Sequence, residues 1–150
     1  DWSTMQGTTP HSGGDSSTTP TPGSAKLFTA PAVWQHSGAT WLYVSDNNGT
    51  AAFTLSGGAL SPQWQNDNAG TSPVVADGMA IIYDPDGDLY VYDATSGQQL
   101  DKLDCGGGHW NSPIVVDGRI ALPEGNANDH DTSGVLDIWR VPDATDAGKN

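Results

Sequence analysis

Apolar residues along this chain fall into short runs of β-forming type, and the runs recur in a fixed order. Three segments open alike: Thr29-Ala-Pro31-Ala-Val-Trp34, Thr71-Ser-Pro73-Val-Val-Ala76 and Asn111-Ser-Pro113-Ile-Val-Val116. Their prolines stand 42 and then 40 residues apart. A second run follows each opening: Trp41-Leu-Tyr-Val44, Met79-Ala-Ile-Ile-Tyr83 and Arg119-Ile-Ala-Leu122. Asp77-Gly78 and Asp117-Gly118 join the second and third pairs. Asp-Gly between apolar runs predicts a type I′ hairpin, whose two central residues need positive φ. No window carries sustained helical periodicity.

A third run follows each hairpin, at 51–55, 89–93 and 136–140, after turns at Asp46-Asn-Asn-Gly49 and Asp84-Pro-Asp-Gly87 and at Gly134. A fourth run occurs only twice, at 60–65 and 98–103. Four antiparallel strands repeated every ~40–45 residues are the blade of a β-propeller. The expected fold is therefore all-β: a propeller fragment of three blades, at 27–66, 67–104 and 105–142, the last lacking its outer strand. A terminal blade short of one strand suggests ring closure, the missing strand coming from elsewhere. A flat meander or sandwich is the alternative, and the regular period argues against it. Residues 1–26, rich in Thr, Ser, Pro and Gly, read as a linker or inter-blade loop, and 143–150 as a polar tail. Three blades cannot close a ring. The expected partners are the remaining blades, in a preceding part or a cleaved chain, or else a second copy.

The stretches Thr71-Ser-Pro-Val-Val-Ala-Asp-Gly78 and Asp86-Gly-Asp-Leu-Tyr-Val-Tyr-Asp-Ala-Thr-Ser-Gly97 resemble the repeats of pyrroloquinoline-quinone-type (PQQ-like) propellers. Asn111-Ser-Pro-Ile-Val-Val-Asp-Gly118 repeats the opening, and the resemblance covers roughly residues 27–142. That family includes quinoprotein alcohol dehydrogenases, a propeller lipoprotein of outer-membrane assembly and many secreted proteins. The resemblance thus implies a fold and export, to the periplasm or the exterior, but no particular reaction. The family's tryptophan-docking repeat runs, in type, Ala-x-Asp-x-x-Thr-Gly-Lys-x-x-Trp. Asp93, Ser96 and Gly97 match it in kind, whereas Val91, Gln98 and Asp101 stand at its Ala, Lys and Trp positions. The family's dehydrogenases also set adjacent cysteines beside the quinone, and Cys105 is the only cysteine here. An intact PQQ site is not expected within this chain.

Composition narrows the partners. The 18 acidic residues, all Asp except Glu124, outnumber five basic ones, for a net charge of -13. Asp favours turns over helix interiors, in keeping with 19 Gly and 10 Pro. Scattered Lys and Arg cannot build a phosphate-binding surface, so nucleic acid is not an expected partner, nor is an anionic membrane surface. No apolar run is long enough to span a bilayer. The chain begins at Asp1 with no signal peptide, which reads as a processed, trimmed or partial chain. A lone Cys excludes an intrachain disulfide. It reads as a small packed residue, with a thiolate paired to His109 as the weaker alternative.

Two loops carry candidate chemistry. In Gly106-Gly-Gly-His109-Trp110-Asn111, His109 suits acid–base work or ligation and Trp110 suits stacking on a sugar ring, with Asn111 beside them. Three glycines leave room for a ligand. The competing reading packs Trp110 between blades and makes His109 a loop cap. The second loop holds Glu124, Asn126, Asn128, Asp129, His130 and Asp131, and is about seven residues longer than its counterpart in the preceding blade. Its oxygens could hold Ca²⁺, and His130 could help hold a transition metal, although the spacing fits no standard motif and a solvated acidic loop explains it too. Asp84-Pro-Asp86-Gly87-Asp88 reads as a hairpin turn, because Leu89 and Thr95 stand where a calcium loop needs Gly and Glu. No nucleophile–base pair, phosphate loop or catalytic carboxylate pair stands at useful spacing.

The expected function is that of a non-catalytic exported module, a binding or scaffold unit for a protein or glycan partner. The alternatives are part of a quinone- or metal-dependent oxidoreductase with its site mainly in other blades, and a structural subunit of an extracellular assembly.

Overall fold

A computed structural model describes residues 19–27, 29–126, 128 and 132–140. Among the described residues, eleven strands form three antiparallel sheets. Blade 1 runs β1 (Ala32–His36), β2 (Ala39–Ser45), β3 (Thr50–Ser56) and β4 (Ala59–Asn66). Blade 2 runs β5 (Val74–Ala76), β6 (Met79–Asp84), β7 (Asp88–Asp93) and β8 (Gln99–Asp104). Blade 3 has β9 (Ile114–Val116), β10 (Arg119–Pro123) and β11 (Leu136–Arg140). Strands pair in sequence order within each sheet, and the leading strands β1, β5 and β9 stand side by side. The chain is a three-blade propeller segment with three strands in blade 3 among the described residues. Residues 141–150, where an outer strand or tail would continue, lie outside them.

The hairpins follow from their turns. Asp77 and Gly78 have φ of 49° and 77°, and Asp117 and Gly118 have 48° and 66°, the doubly positive geometry of a type I′ turn. Ser37-Gly38 takes the same geometry in blade 1, at 50° and 79°.

Blade 2 is buried on both faces, which explains why its strands read as unbroken apolar runs. Ala80, Ile82, Tyr90, Tyr92 and Ala94 pack with Tyr43 and Ala52 of blade 1, flanked by Trp34, Trp41 and Trp64. Ile81, Tyr83, Leu89 and Val91 pack with Ile120 and Leu122 of blade 3. At the first interface both the Tyr43 hydroxyl (3.1 Å) and the Trp64 indole N–H (2.9 Å) donate to the Ala94 carbonyl. The Trp64 ring lies against Gly97. Blade 2 has no such tryptophan. Register sets Asp101 and Lys102 opposite Val91 and Tyr90. A gap of about 290 Å³ remains toward blade 3, lined by Met79, Val91, Leu100, Leu103, Ile120 and Trp139 among others.

A lock repeats where each blade begins. The residue two before each proline binds a carbonyl of the last or last-but-one residue of the second strand. Thr29 Oγ1 donates to Ser45 O (2.8 Å), Thr71 N–H to Tyr83 O (2.7 Å) and Asn111 Nδ2 to Pro123 O (2.6 Å). The side chain makes the bond at Thr29 and Asn111, the backbone at Thr71.

Candidate functional site

Strand alternation sorts the loops onto two faces. The first-to-second and third-to-fourth turns share one face. The second-to-third turns and the inter-blade connections share the other, so Asp46–Gly49, 67–73, Asp84–Gly87, 105–113 and, of the longer loop, 124–126 and 132–135 cluster together. On this loop face lies a cavity of about 570 Å³. Lys26 and Thr29 line it from the segment before blade 1, with Asp46 and Asn47 from the first turn. Gly70 and Thr71 come from the connection into blade 2, Asp84 and Asp86 from the second turn, and His109 and Trp110 from the connection into blade 3.

The structure thus brings His109 and Trp110 into one cavity. Their rings meet edge to face at 4.3 Å, and Trp110 is 59% exposed. Asn111 braces the loop instead: Oδ1 accepts the His109 N–H (3.0 Å), and Nδ2 donates to the carbonyls of Pro123 (2.6 Å) and Gly125 (3.4 Å). The loop glycines serve close packing. A Cβ at Gly106 would meet the Glu124 carboxylate, and one at Gly108 would stand 2.5 Å from the Tyr83 hydroxyl.

Of the longer loop, Asp129, His130 and Asp131 lie outside the described residues. Glu124 accepts the Gly106 N–H (2.7 Å), and Asn126 accepts the Asn128 N–H (3.0 Å) in a local turn. Among the described residues no group of three or more His, Cys, Asp or Glu side chains is placed to hold a metal ion.

Three carboxylates occupy equivalent positions at the second-to-third turn, Asp84 ending its strand and Asp46 and Glu124 just after theirs, and their roles differ. Asp46, 1% exposed, accepts N–H groups of Gly23 (2.9 Å), Ala25 (3.2 Å) and Asn48 (2.8 Å). Burial pushes its carboxyl up, but those bonds and Thr21 outweigh it, and it ends below the usual range. Glu124 likewise binds its incoming connection through Gly106. Asp84 accepts only the N–H of Asp86 within its own turn (3.0 Å). Burial holds its carboxyl above the usual range, helped by Asp86 and Asp88. Beside it Thr71 is 4% exposed, and its hydroxyl is buried without a hydrogen-bond partner.

Cys105 packs at the edge of the second core cluster. Burial first, then Glu124, Asp88 and other carboxylates, pushes its thiol up to about 12. It is a protonated packing residue, not a thiolate partner for His109.

Sequence reasoning names His109 and Trp110, which line this cavity, but not Asp46, Thr71, Asp84 and Asp86 as their neighbours there. The signal was present: counting strand directions places both Asp-headed turns on the same face as that loop.

No protein-family model and no curated protein sequence matches the chain. Solved structures do. BamB from Moraxella catarrhalis superposes with a TM-score of 0.58 at 19% identity, over 80% of this chain and 35% of that one. A europium-containing methanol dehydrogenase gives 0.56 at 16% identity, over 78% and 25%. The quinohemoprotein alcohol dehydrogenase ADHIIG from Pseudomonas putida HK5 gives 0.55 at 18%, over 77% and 20%. The chain spans between a fifth and about a third of the length of these three proteins. At such identities the likeness is one of fold: this is a propeller segment of the architecture shared by these two dehydrogenases and BamB.

Proposed function

We propose that this chain belongs to an exported propeller that works as a non-catalytic binding module and meets a protein or glycan partner through its loop face. The observation that carries the reading is the cavity where connections of three successive blades converge around exposed Trp110. Binding residues favour loops held by a rigid scaffold, and among the described residues the opposite face carries short turns. The blades that complete the ring, from elsewhere in the protein or from another chain, are the further partners of this reading.

The residues of this chain do not fit a quinone. The dehydrogenase resemblance calls for adjacent cysteines, whereas Cys105 is the one cysteine here and packs, partly buried, against the second core cluster. Titration of the intact protein with glycans and candidate proteins, read by hydrogen exchange, tests the proposal. Protection at 69–71, 84–86 and 109–110 supports it. Protection confined to the tight-turn face, or none with any ligand, counts against it.

A further inference from the structure

We infer that the gap between blades 2 and 3 is a binding site for a small neutral aromatic of the indole class, seated where the preceding pair of blades places a tryptophan ring. The gap shares no lining residue with the loop-face cavity, so the inference goes beyond the binding-module reading and does not rest on it.

Strand register carries the argument. In blade 1 Tyr43 pairs with Ala52, and Ala52 with Trp64. In blade 2 Ile81 pairs with Val91, and Val91 with Asp101. Tyr43 and Ile81 each stand two residues before the carbonyl that the entering connection binds, at Ser45 and Tyr83. Asp101 therefore holds the place of Trp64. The same count from Pro123 puts Ile120 and Trp139 of blade 3 where blade 2 has Ala80 and Tyr92.

The two interfaces differ in what fills that place. Between blades 1 and 2 the Trp64 ring packs against the cluster of Ala52, Ala80 and Tyr92, with its centroid 5.8 Å from that of Tyr92. Between blades 2 and 3 the equivalent positions Val91, Ile120 and Trp139 are still apolar, but Asp101 is short and exposed. A cavity of about 290 Å³ results, close to the lower end of the ~300–1,000 Å³ of small-molecule sites.

The walls select the ligand. Packed interiors leave few gaps larger than a water molecule, and apolar ones admit an aromatic guest in preference to water. Trp139 offers an aromatic neighbour, as Tyr92 does to Trp64. Met79 adds a polarizable sulfur, which also favours aromatic rings. Leu100, 52% exposed, leaves one side of the gap open to solvent and gives a path of entry.

The test is calorimetric titration of the intact protein with indole, the site being read from backbone amide NMR shifts, with cyclohexanol as the non-aromatic comparator. Indole should bind saturably, with a Kd in the millimolar range or below, and shift the amides of 91, 101, 120 and 139. Asp101→Trp should supply the ring from within the chain. It should weaken indole binding by about tenfold or more and raise the Tm of the ligand-free protein by about 2–8 °C. Asp101→Asn leaves the gap as it is and should bind like wild type. Leu100→Ala removes apolar wall at the open side and should weaken binding about threefold, which keeps the site testable if Asp101→Trp does not fold. Absence of saturable indole binding overturns the inference. So do shifts confined to the loop face, binding unchanged in Asp101→Trp or in Leu100→Ala, and cyclohexanol binding as tightly as indole. The loop-face proposal has its own titration, and none of these results moves it.

Discussion

The contact between Trp64 and Gly97 allows the joint between blades 1 and 2 to be weighed. A Cβ on Gly97 would stand 2.6 Å from Trp64 Cδ2 and 2.7 Å from Cγ, and Gly97 has φ +71°. Gly97→Ala therefore carries two costs. A residue with a Cβ pays ~1–2 kcal/mol for left-handed backbone, and displacing a packed ring adds ~1–3 kcal/mol. Gly78 separates the two, because its φ is +77° and a Cβ there meets nothing within 4 Å. Gly78→Ala should thus cost the backbone part alone. Trp64→Ala should cost ~3–5 kcal/mol, nearer the lower end because the ring is only part-buried. It removes the indole bond to Ala94 O and the ring contacts with Tyr43 (6.1 Å) and Tyr92 (5.8 Å). With the ring gone, Gly97→Ala should shrink to the Gly78→Ala value. Urea unfolding of wild type, both single variants and the double variant, with Gly78→Ala as reference, gives the coupling directly. It should be ~1–3 kcal/mol, the double variant being less damaged than the sum. A coupling within ~0.5 kcal/mol of zero would mean that Trp64 does not dock on this glycine.

Three further outcomes follow from the same geometry. Asp46→Ala should free the segment at 19–27, seen as faster amide exchange at Gly23 and Ala25, whose N–H groups lose their acceptor. Unchanged exchange at both would refute it. Asp93 is held down to about 2 by the Thr95 hydroxyl, the Ser96 N–H and hydroxyl and the Thr95 N–H, against a small opposing effect of burial. Its folded value lies below the ~3.9 of an unfolded Asp. Its contribution is therefore full above about pH 4 and disappears as the pH falls through about 2. Asp93→Ala should destabilise by about 1 kcal/mol at neutral pH, discounted because the turn is solvated. The gap from wild type should close toward pH 2, and a pH-independent gap would refute the assignment. Cys105, pushed up to about 12 by burial and nearby carboxylates, should react with iodoacetamide at pH 8 on the order of a hundredfold more slowly in the folded protein than in urea. Equal rates would refute its burial.

The repeat was legible because each blade needs the same local chemistry. Asp77-Gly78 and Asp117-Gly118 declare their turns, since few pairs tolerate positive φ twice. The continuous run Met79–Asp84 announces a strand covered on both sides. The partner of Trp64 was not legible. Gly97 was matched to a docking motif by type, but which ring it receives depends on a strand 33 residues earlier and on a bulge in β4 near Ala52 and Phe53. The same holds for Asn111 and Glu124. As residue types they suit ligands, and only the path of the 106–111 connection reveals that backbone N–H and carbonyl groups claim them first.

The path of each connection decides which of these polar groups the backbone claims. A propeller repeats its framework, so the acid after each second strand starts with the same duty: to receive N–H groups from the chain entering the blade. Asp46 and Glu124 perform it. The connection into blade 2 presents Gly70 differently. The Gly70 N–H goes to Asp46 O at 3.0 Å, and its Cα packs so close to Ile82 that a Cβ would collide with that side chain. The entering chain is held there by backbone and packing, and Thr71 N–H completes the lock on Tyr83 O. Asp84 is thereby relieved of its structural duty while remaining half-buried at the same place in the fold. The cavity forms where that acid, the unpaired Thr71 hydroxyl and the Trp110 loop coincide. A single departure from the repeat, held in place by the blades on either side, thus leaves Asp84 at a framework position without the backbone partners that Asp46 and Glu124 have.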